Sequence, residues 1–292
     1  TAIAGLEEGV IDKNTILFCP GWYKYGNRVY RCWKHAGHGD INVVKALAES
    51  CDVFFYQVGQ KLGIDRLSMY AIASGLGSPT GIDLDHESAG LIPTAEWKKR
   101  RIGVDWQGGE TLSVAIGQGY DLATPLQMLD FISAVANGGK IYKPLILKSV
   151  YSSEGSVILE SKKQLAGKLP VSKQTLQIIK EGLWNVVNHR KGTAWIAHVD
   201  GLDISGKTGT SQVVGRSKEH GLSEEELAHR LKSHAWFVAF APSKDPKIAV
   251  SVIVEHGGHG SSAAAPIARE VIKTYFGYDE NAKPDKVNVA GN

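Results

Sequence analysis

Two apolar runs constrain this fold more than anything else in the chain. Ala235-Trp236-Phe237-Val238-Ala239-Phe240 and Ile248-Ala249-Val250-Ser251-Val252-Ile253-Val254 are rich in β-branched and aromatic residues. Pro242-Ser243-Lys244-Asp245-Pro246 separates them with residues that favour turns. The pattern predicts a β-hairpin, and with it an antiparallel sheet. A hairpin is marginal alone and needs helices to cover it.

The rest of the chain supplies that cover. Residues 261 to 276 predict a closing helix, and Lys173 to Val187 an amphipathic one. Ala194 to Val199 and Leu202 to Val214 are strand-like, and Lys148 to Leu159 reads as a hairpin turning at Ser153-Glu154-Gly155. A polar insertion separates the strands near 214 and 235, with Ser223 and Glu226 as a capping box for a short helix. The first part is helical and loop-rich. A helix is predicted from about Ile41 to Glu49 with Asp40 as N-cap, and a second from near Asp52 to a stop at Gly63. Thr124-Pro125 opens a third, which ends at Asn137-Gly138-Gly139. Residues 18 to 40 hold Gly21, Gly26, Gly37 and Gly39 among aromatics and bases and read as irregular. The last dozen polar residues should fray. These segments predict an α+β fold, an antiparallel sheet of about five strands flanked by helices. A helical subdomain falls mainly at 10–140 and a sheet subdomain mainly at 141–280.

Composition narrows the function. The 292 residues carry 33 Lys+Arg against 30 Asp+Glu, a net charge of +3, with 43% hydrophobic residues. That mixture builds a core and excludes a disordered or collagen-like chain. The near-neutral balance argues against a nucleic-acid binder. The aromatic and basic stretch from Trp22 to His35 therefore reads as a packed loop near a cleft, not a stacking platform. No run approaches the roughly 18 apolar residues of a membrane span. The chain opens Thr1-Ala2-Ile3-Ala4-Gly5, without Met or turn, as if entered inside a helix. The expectation is an N-terminally truncated piece, with any membrane anchor in the missing part.

The sharpest string is Gly201-Leu202-Asp203-Ile204-Ser205-Gly206-Lys207-Thr208-Gly209-Thr210. It satisfies the phosphate-loop pattern G-x-x-x-x-G-K-[ST]. A phosphate loop must open a helix, yet Thr-Gly-Thr-Ser-Gln-Val-Val-Gly follows Lys207 and favours a strand. The second reading is Lys-Thr-Gly-Thr on an edge strand, to which an extended peptide can add. Lys207 then supplies charge, Thr208 and Thr210 hold a substrate carboxylate, and Gly209 permits close approach. Ser50-Cys51-Asp52 lies between two predicted helices, where a hydroxyl and a carboxylate can enter a cleft. Taken alone, Asp52 would be an N-cap and Ser50 a helix terminator.

Together these motifs resemble the transpeptidase domain of class B penicillin-binding proteins, in the branch that serves rod elongation. The likeness also runs through Ala4-Gly5-Leu6-Glu7-Glu8-Gly9, Gly37-His38-Gly39, Gly81-Ile82-Asp83-Leu84, Gly117-Gln118-Gly119, Thr124-Pro125-Leu126-Gln127 and Ala136-Asn137-Gly138-Gly139. The resemblance implies a β-lactamase/transpeptidase-like fold on the extracytoplasmic face of the inner membrane. It implies a serine D,D-transpeptidase that crosslinks peptidoglycan stem peptides through an acyl-enzyme and is acylated by β-lactams. Ser50 would relay protons, Asp52 would bond substrate amide or the catalytic Lys, and Lys207 would give electrostatic support. Thr208 and Thr210 would contact the terminal carboxylate, and the Thr210 N–H would be an oxyanion donor. Expected partners are the glycosyltransferase and scaffold of the elongation complex, with no nucleic acid and no cofactor. A penicillin sensor or scaffold on the same fold is the alternative.

The family's nucleophile motif S-x-x-K is absent. Ser161-Lys162-Lys163-Gln164 and Ser205-Gly206-Lys207 are the nearest misses. In relatives the nucleophile helix runs directly into the Thr1-Ala2-Ile3 segment, so the chain alone is expected to be inert.

Three cysteines remain. Cys51 reads as a small buried filler. Cys19 and Cys32 bracket the aromatic loop, and the implied compartment permits a disulfide between them. Free thiols are the second option. A metal site, with zinc the natural ion, is the third, drawing on Cys19, Cys32, His35, His38 and Asp40.

Overall fold

A computed structural model of the chain describes residues 1–212 and 231–278. In chain order its elements are α1 (Ala2–Glu7), β1 (Leu17–Cys19), β2 (Trp22–Tyr25), β3 (Arg28–Arg31), β4 (Gly39–Ile41), α2 (Val43–Ala48), α3 (Asp52–Leu62), α4 (Ile64–Ala73), α5 (Ala95–Ile102), α6 (Gly108–Ala115) and α7 (Pro125–Ala136). There follow β5 (Lys140–Tyr142), β6 (Ser149–Tyr151), β7 (Val157–Glu160), β8 (Leu165–Lys168), α8 (Lys173–Asn188), β9 (Ser205–Ser211), β10 (His234–Ala241), β11 (Ile248–Val254) and α9 (Ala265–Tyr275).

The predicted hairpin is β10 and β11, paired antiparallel from Ala235↔Val254 to Ala241↔Ile248. β9 lies along the other side of β10, from Ser205↔Phe240 to Ser211↔His234. Among the described residues the sheet order is β11-β10-β9, which leaves β9 on an edge. The α+β class holds. The central sheet has three strands among the described residues, not about five, because β5–β8 and β6–β7 pair off as separate ribbons.

β10 reads as a continuous apolar run because both its faces are buried. Val238 and Phe240 join a helical core with Phe54, Leu112, Val135 and Leu183. Ala235, Phe237, Ala239 and Ala241 face the opposite way, into a second core with Val186, Ile204, Ala268 and Ile272. That split is the period of two of a pleated strand. α8 spans both cores, since its Leu176 and Leu183 belong to the first and Val186 and Val187 to the second.

Several local predictions need correction. α2 starts at Val43, capped by the Asn42 side chain, which accepts from the Lys45 N–H. Asp40 instead sits in β4 opposite Phe18. α3 spans the predicted residues and stops at Gly63, but its N-cap is the Cys51 thiol, which accepts from the Phe54 N–H at 3.4 Å. α7 carries the predicted Thr124 cap, completed by Gln127 into a reciprocal box. Residues 18–40 are not irregular; they form the ribbons β1–β4 and β2–β3. Trp195–Ala197 is a 3-10 turn and not a strand, because Ala194 N bonds back to Val186 O on α8. α4, α5 and α6 fill a region for which the sequence predicted no element. Most of the polar insertion, with Ser223 and Glu226, lies outside the described residues, as do the last dozen. Among the described residues no helix is long and apolar enough to cross a membrane.

Candidate active site

The site forms where the turn between α2 and α3 meets the edge strand β9. Cys51 N bonds to Ala46 O at 3.0 Å, a six-residue closure of the α2 C-terminus. Such closures place one residue in the left-handed region, usually glycine. Here it is Ser50, at φ 52°. A glycine would make the turn at lower cost but would present no hydroxyl.

That hydroxyl meets Lys207, whose Nζ donates to Ser50 Oγ at 2.8 Å and to Thr208 O at 3.0 Å. Burial lowers the Lys207 ammonium to about 8, against an upward pull from Asp52. Burial likewise pushes Asp52 up to about 6, helped by the neighbouring Cys32 thiol and opposed by the Trp33 N–H and by Lys207. Asp52 Oδ2 accepts that N–H at 2.8 Å. At neutral pH the pair therefore retains a cation beside a carboxylate, both weakly hydrated.

Thr208, Gly209 and Thr210 lie on β9 as predicted. Thr208 Oγ1 is 2.9 Å from Thr193 Oγ1, which fixes one hydroxyl at the strand centre. Gly209 is closely packed: an added Cβ would stand 3.1 Å from Trp236 Cβ, and a Cβ added at Gly260 would meet Gly209 O. The phosphate-loop reading fails, since Ser205–Ser211 is strand where that loop must open a helix.

The cysteines make a tetrad. All three are free and buried, so the Cys19–Cys32 disulfide is not formed. Ligand atoms of Cys19, Cys32, His38 and Cys51 lie within 4.8 Å of one another. His38 Nδ1 is 3.5 Å from both Cys19 Sγ and Cys32 Sγ. A hydrogen bond shared with Cys51 holds the Cys32 thiol down to about 3 and pushes the Cys51 thiol up. Three sulfurs and one imidazole nitrogen, drawn from four segments, match a closed tetrahedral zinc site in type and number. His35 and Asp40 do not join; both are exposed, and Asp40 is held in β4. Cys51 is buried as predicted but replaces them in the donor set.

Three positions that bond to the candidate site escaped the sequence reading. Trp33 donates its indole N–H to Glu49 O and Ser50 O at 3.0 and 2.9 Å, clamping the turn that carries the hydroxyl. Thr193 steadies Thr208. Gln118 donates to Thr210 O at 2.7 Å. Only the Gly-Gln-Gly string around Gln118 carried a signal.

The sequence profile described as "Penicillin binding protein transpeptidase domain" matches residues 1–273. A Haemophilus influenzae protein named "Peptidoglycan D,D-transpeptidase MrdA" is 41% identical over 280 residues, covering 94% of this chain and 42% of that protein. The Escherichia coli protein of that name is 37% identical over 284 residues, covering 96% of this chain and 44% of it. The chain thus spans less than half the length of these relatives. Among solved structures, Pseudomonas aeruginosa PBP2 in complex with WCK 5153 aligns with a TM-score of 0.81 at 33% identity, over 99% of this chain and 59% of that one. A Helicobacter pylori complex of PBP2 with MreC aligns at 0.79 and 33%, over 95% and 48%.

Proposed function

This chain belongs to the penicillin-binding protein transpeptidase family, and from that premise we propose that it forms most of the active-site cleft of a peptidoglycan D,D-transpeptidase. A serine attacks the D-Ala-D-Ala amide of a stem peptide, D-Ala leaves with the proton, and an amine of a second stem takes the acyl group. These residues contain no S-x-x-K. On this reading the 292 residues alone supply no acylating serine of that motif. Their role is to bind, orient and polarise.

One observation carries this reading: the 2.8 Å bond from Lys207 to Ser50, which joins the middle motif to the edge strand. Lys207 keeps positive charge beside the attacking oxygen, and Ser50 orients that charge and passes the proton. Asp52 stabilises the ammonium and anchors the turn. Thr208 and Thr210 offer hydroxyls to the terminal carboxylate, and the Thr210 N–H serves the oxyanion. The Helicobacter pylori complex of PBP2 with MreC and a solved peptidoglycan synthase complex that coordinates polymerization and crosslinking support a scaffold and a glycan polymerase as partners, and the family resemblance supports work at the extracytoplasmic face of the inner membrane. The test is fluorescent penicillin labelling. The full-length protein should take covalent label that unlabelled β-lactam blocks, and the isolated 292 residues should take none. Label on the isolated chain, or none on the full-length protein, overturns the reading.

A second reading concerns the tetrad. The clustered thiols and His38 Nδ1 favour a structural zinc ion held by Cys19, Cys32, His38 and Cys51. Zinc, when bound, supplies a cross-link between four segments. Because Cys51 is the residue after Ser50, that cross-link would fix the catalytic turn.

A further inference from the structure

We propose that Gln118 is a resident competitor for the open edge of β9, and that an acyl-donor peptide binds by displacing its carboxamide from Thr210. This rests on the transpeptidase reading above. Gln118 follows the C-terminus of α6, between Gly117 at φ 74° and Gly119 at φ 81°. Gln118 N bonds back to Ser113 O at 3.0 Å, and Gly117 N to Val114 O at 2.9 Å. Both bonds fix the backbone, and α6 packs against α3, the helix that begins at Asp52. The side chain is thus presented from the same rigid unit as the catalytic turn.

Its carboxamide meets β9 in the manner of a strand. Nε2 donates to Thr210 O at 2.7 Å, and Oε1 accepts from Gln212 N at 3.5 Å. β10 occupies the other side of β9, so these two groups belong to the open edge. A donor to the carbonyl of residue 210, paired with an acceptor from the amide of residue 212, is the bonding offered by one residue of a parallel neighbouring strand. One side chain therefore imitates one residue of an added strand.

An extended ligand that adds to this edge needs the same carbonyl. In the free protein Gln118 satisfies it; in the complex the ligand's amide N–H must. The exchange subtracts one hydrogen bond from the gain of binding, for ligands that claim Thr210 O only. A ligand without that N–H leaves Gln118 in place. Gln118 thereby lowers the advantage of amide-bearing ligands and keeps the edge occupied until one arrives.

The test compares two probes on the full-length protein: a penicillin with an acylamino side chain and a penam nucleus that lacks it. Second-order acylation rate constants are measured for wild type, Gln118→Met and Gln118→Ala. Methionine matches the length of glutamine and neither donates nor accepts strongly at this site. The ratio of the two rate constants, acylamino over bare nucleus, should rise about three- to tenfold in both variants, the worth of one net hydrogen bond. A ratio that stays constant or falls overturns the proposal, because a merely structural Gln118 changes both rate constants together. Misfolding of both variants, seen as loss of a cooperative melt, also overturns it by making the contact structural. If wild type is acylated by neither probe, the transpeptidase reading itself has failed, and that is visible before any variant is made.

Discussion

The ammonium of Lys207 lies 2.8 Å from the hydroxyl of Ser50, across 157 residues of sequence. The contact ties the edge of the sheet to the junction of two helices. Ser50 reaches it only from a left-handed backbone, a conformation most non-glycine residues avoid. Geometry, not helix capping, explains why a serine stands there.

Replacing Ser50 should separate chemistry from folding. Ser50→Ala leaves a half-buried cation with one acceptor fewer, a loss of about 1.5–3 kcal/mol for a bond to a charged group. Acylation of the full-length protein should fall about 10- to 100-fold. Ser50→Gly removes the same hydroxyl but relaxes the backbone, so its melting temperature should equal or exceed that of Ser50→Ala. Penicillin labelling rates and thermal melts check both; Ser50→Gly with wild-type labelling would refute the role.

Lys207 makes stability depend on pH in a defined direction. Its folded-state value of about 8 lies below the ordinary 10.5, so folding favours the neutral amine. Between those values the unfolded chain binds a proton that the folded chain has released. Stability therefore rises as pH increases from about 8 toward 10.5. Urea titrations across that window should show the rise, and Lys207→Met should remove it.

The tetrad predicts one zinc ion per chain after purification without chelators. Saturating zinc about 100-fold above its dissociation constant adds about 2.7 kcal/mol. Stripping it should then lower the melting temperature by about 5 °C or more. Cys32→Ser should lower zinc content, while His35→Ala should not. Elemental analysis and melts with and without chelator check this; zinc-free protein with an unchanged melt counts against the site.

Packing between α2 and α8 predicts an effect far from the reacting atoms. A Cβ on Gly182 would lie 2.5 Å from Leu47 Cδ1 and 2.8 Å from Leu47 Cβ. Gly182→Ala should destabilise the fold by about 1–3 kcal/mol despite the better helix propensity of alanine. It should also slow acylation, because Leu47 lies three residues before Ser50 on the displaced helix. Denaturant melts and labelling rates measure the two effects.

The sequence made the long elements legible where local chemistry was unambiguous. Thr124-Pro125 capped α7, Gly63 ended α3, and the run from Ala235 announced β10. Ser50, Asp52 and Lys207 were legible as motif members. The donor set of the tetrad was not, because its residues meet only through tertiary contacts that spacing does not encode. Cys51 resembled a core filler, and His35 resembled a ligand until the loop turned it outward. Trp33 was hidden for the same reason, since its partners are backbone oxygens of another segment. α4 to α6 were missed because nothing in residues 64–115 repeated as clearly as β10.

The open side of β9 has a cost as well as a use. Backbone groups that lack a strand partner invite any extended chain, including a second copy of the same strand. β9 meets that hazard with Lys207 and its hydroxyl-bearing residues, none of which suits the apolar stacking of aggregated strands. Substitutions that make residues 205–211 more apolar would strengthen self-association before they altered turnover. On the proposed function, the composition of this strand is thus bounded from two directions, by the peptide it would accept and by the copies of itself it must refuse.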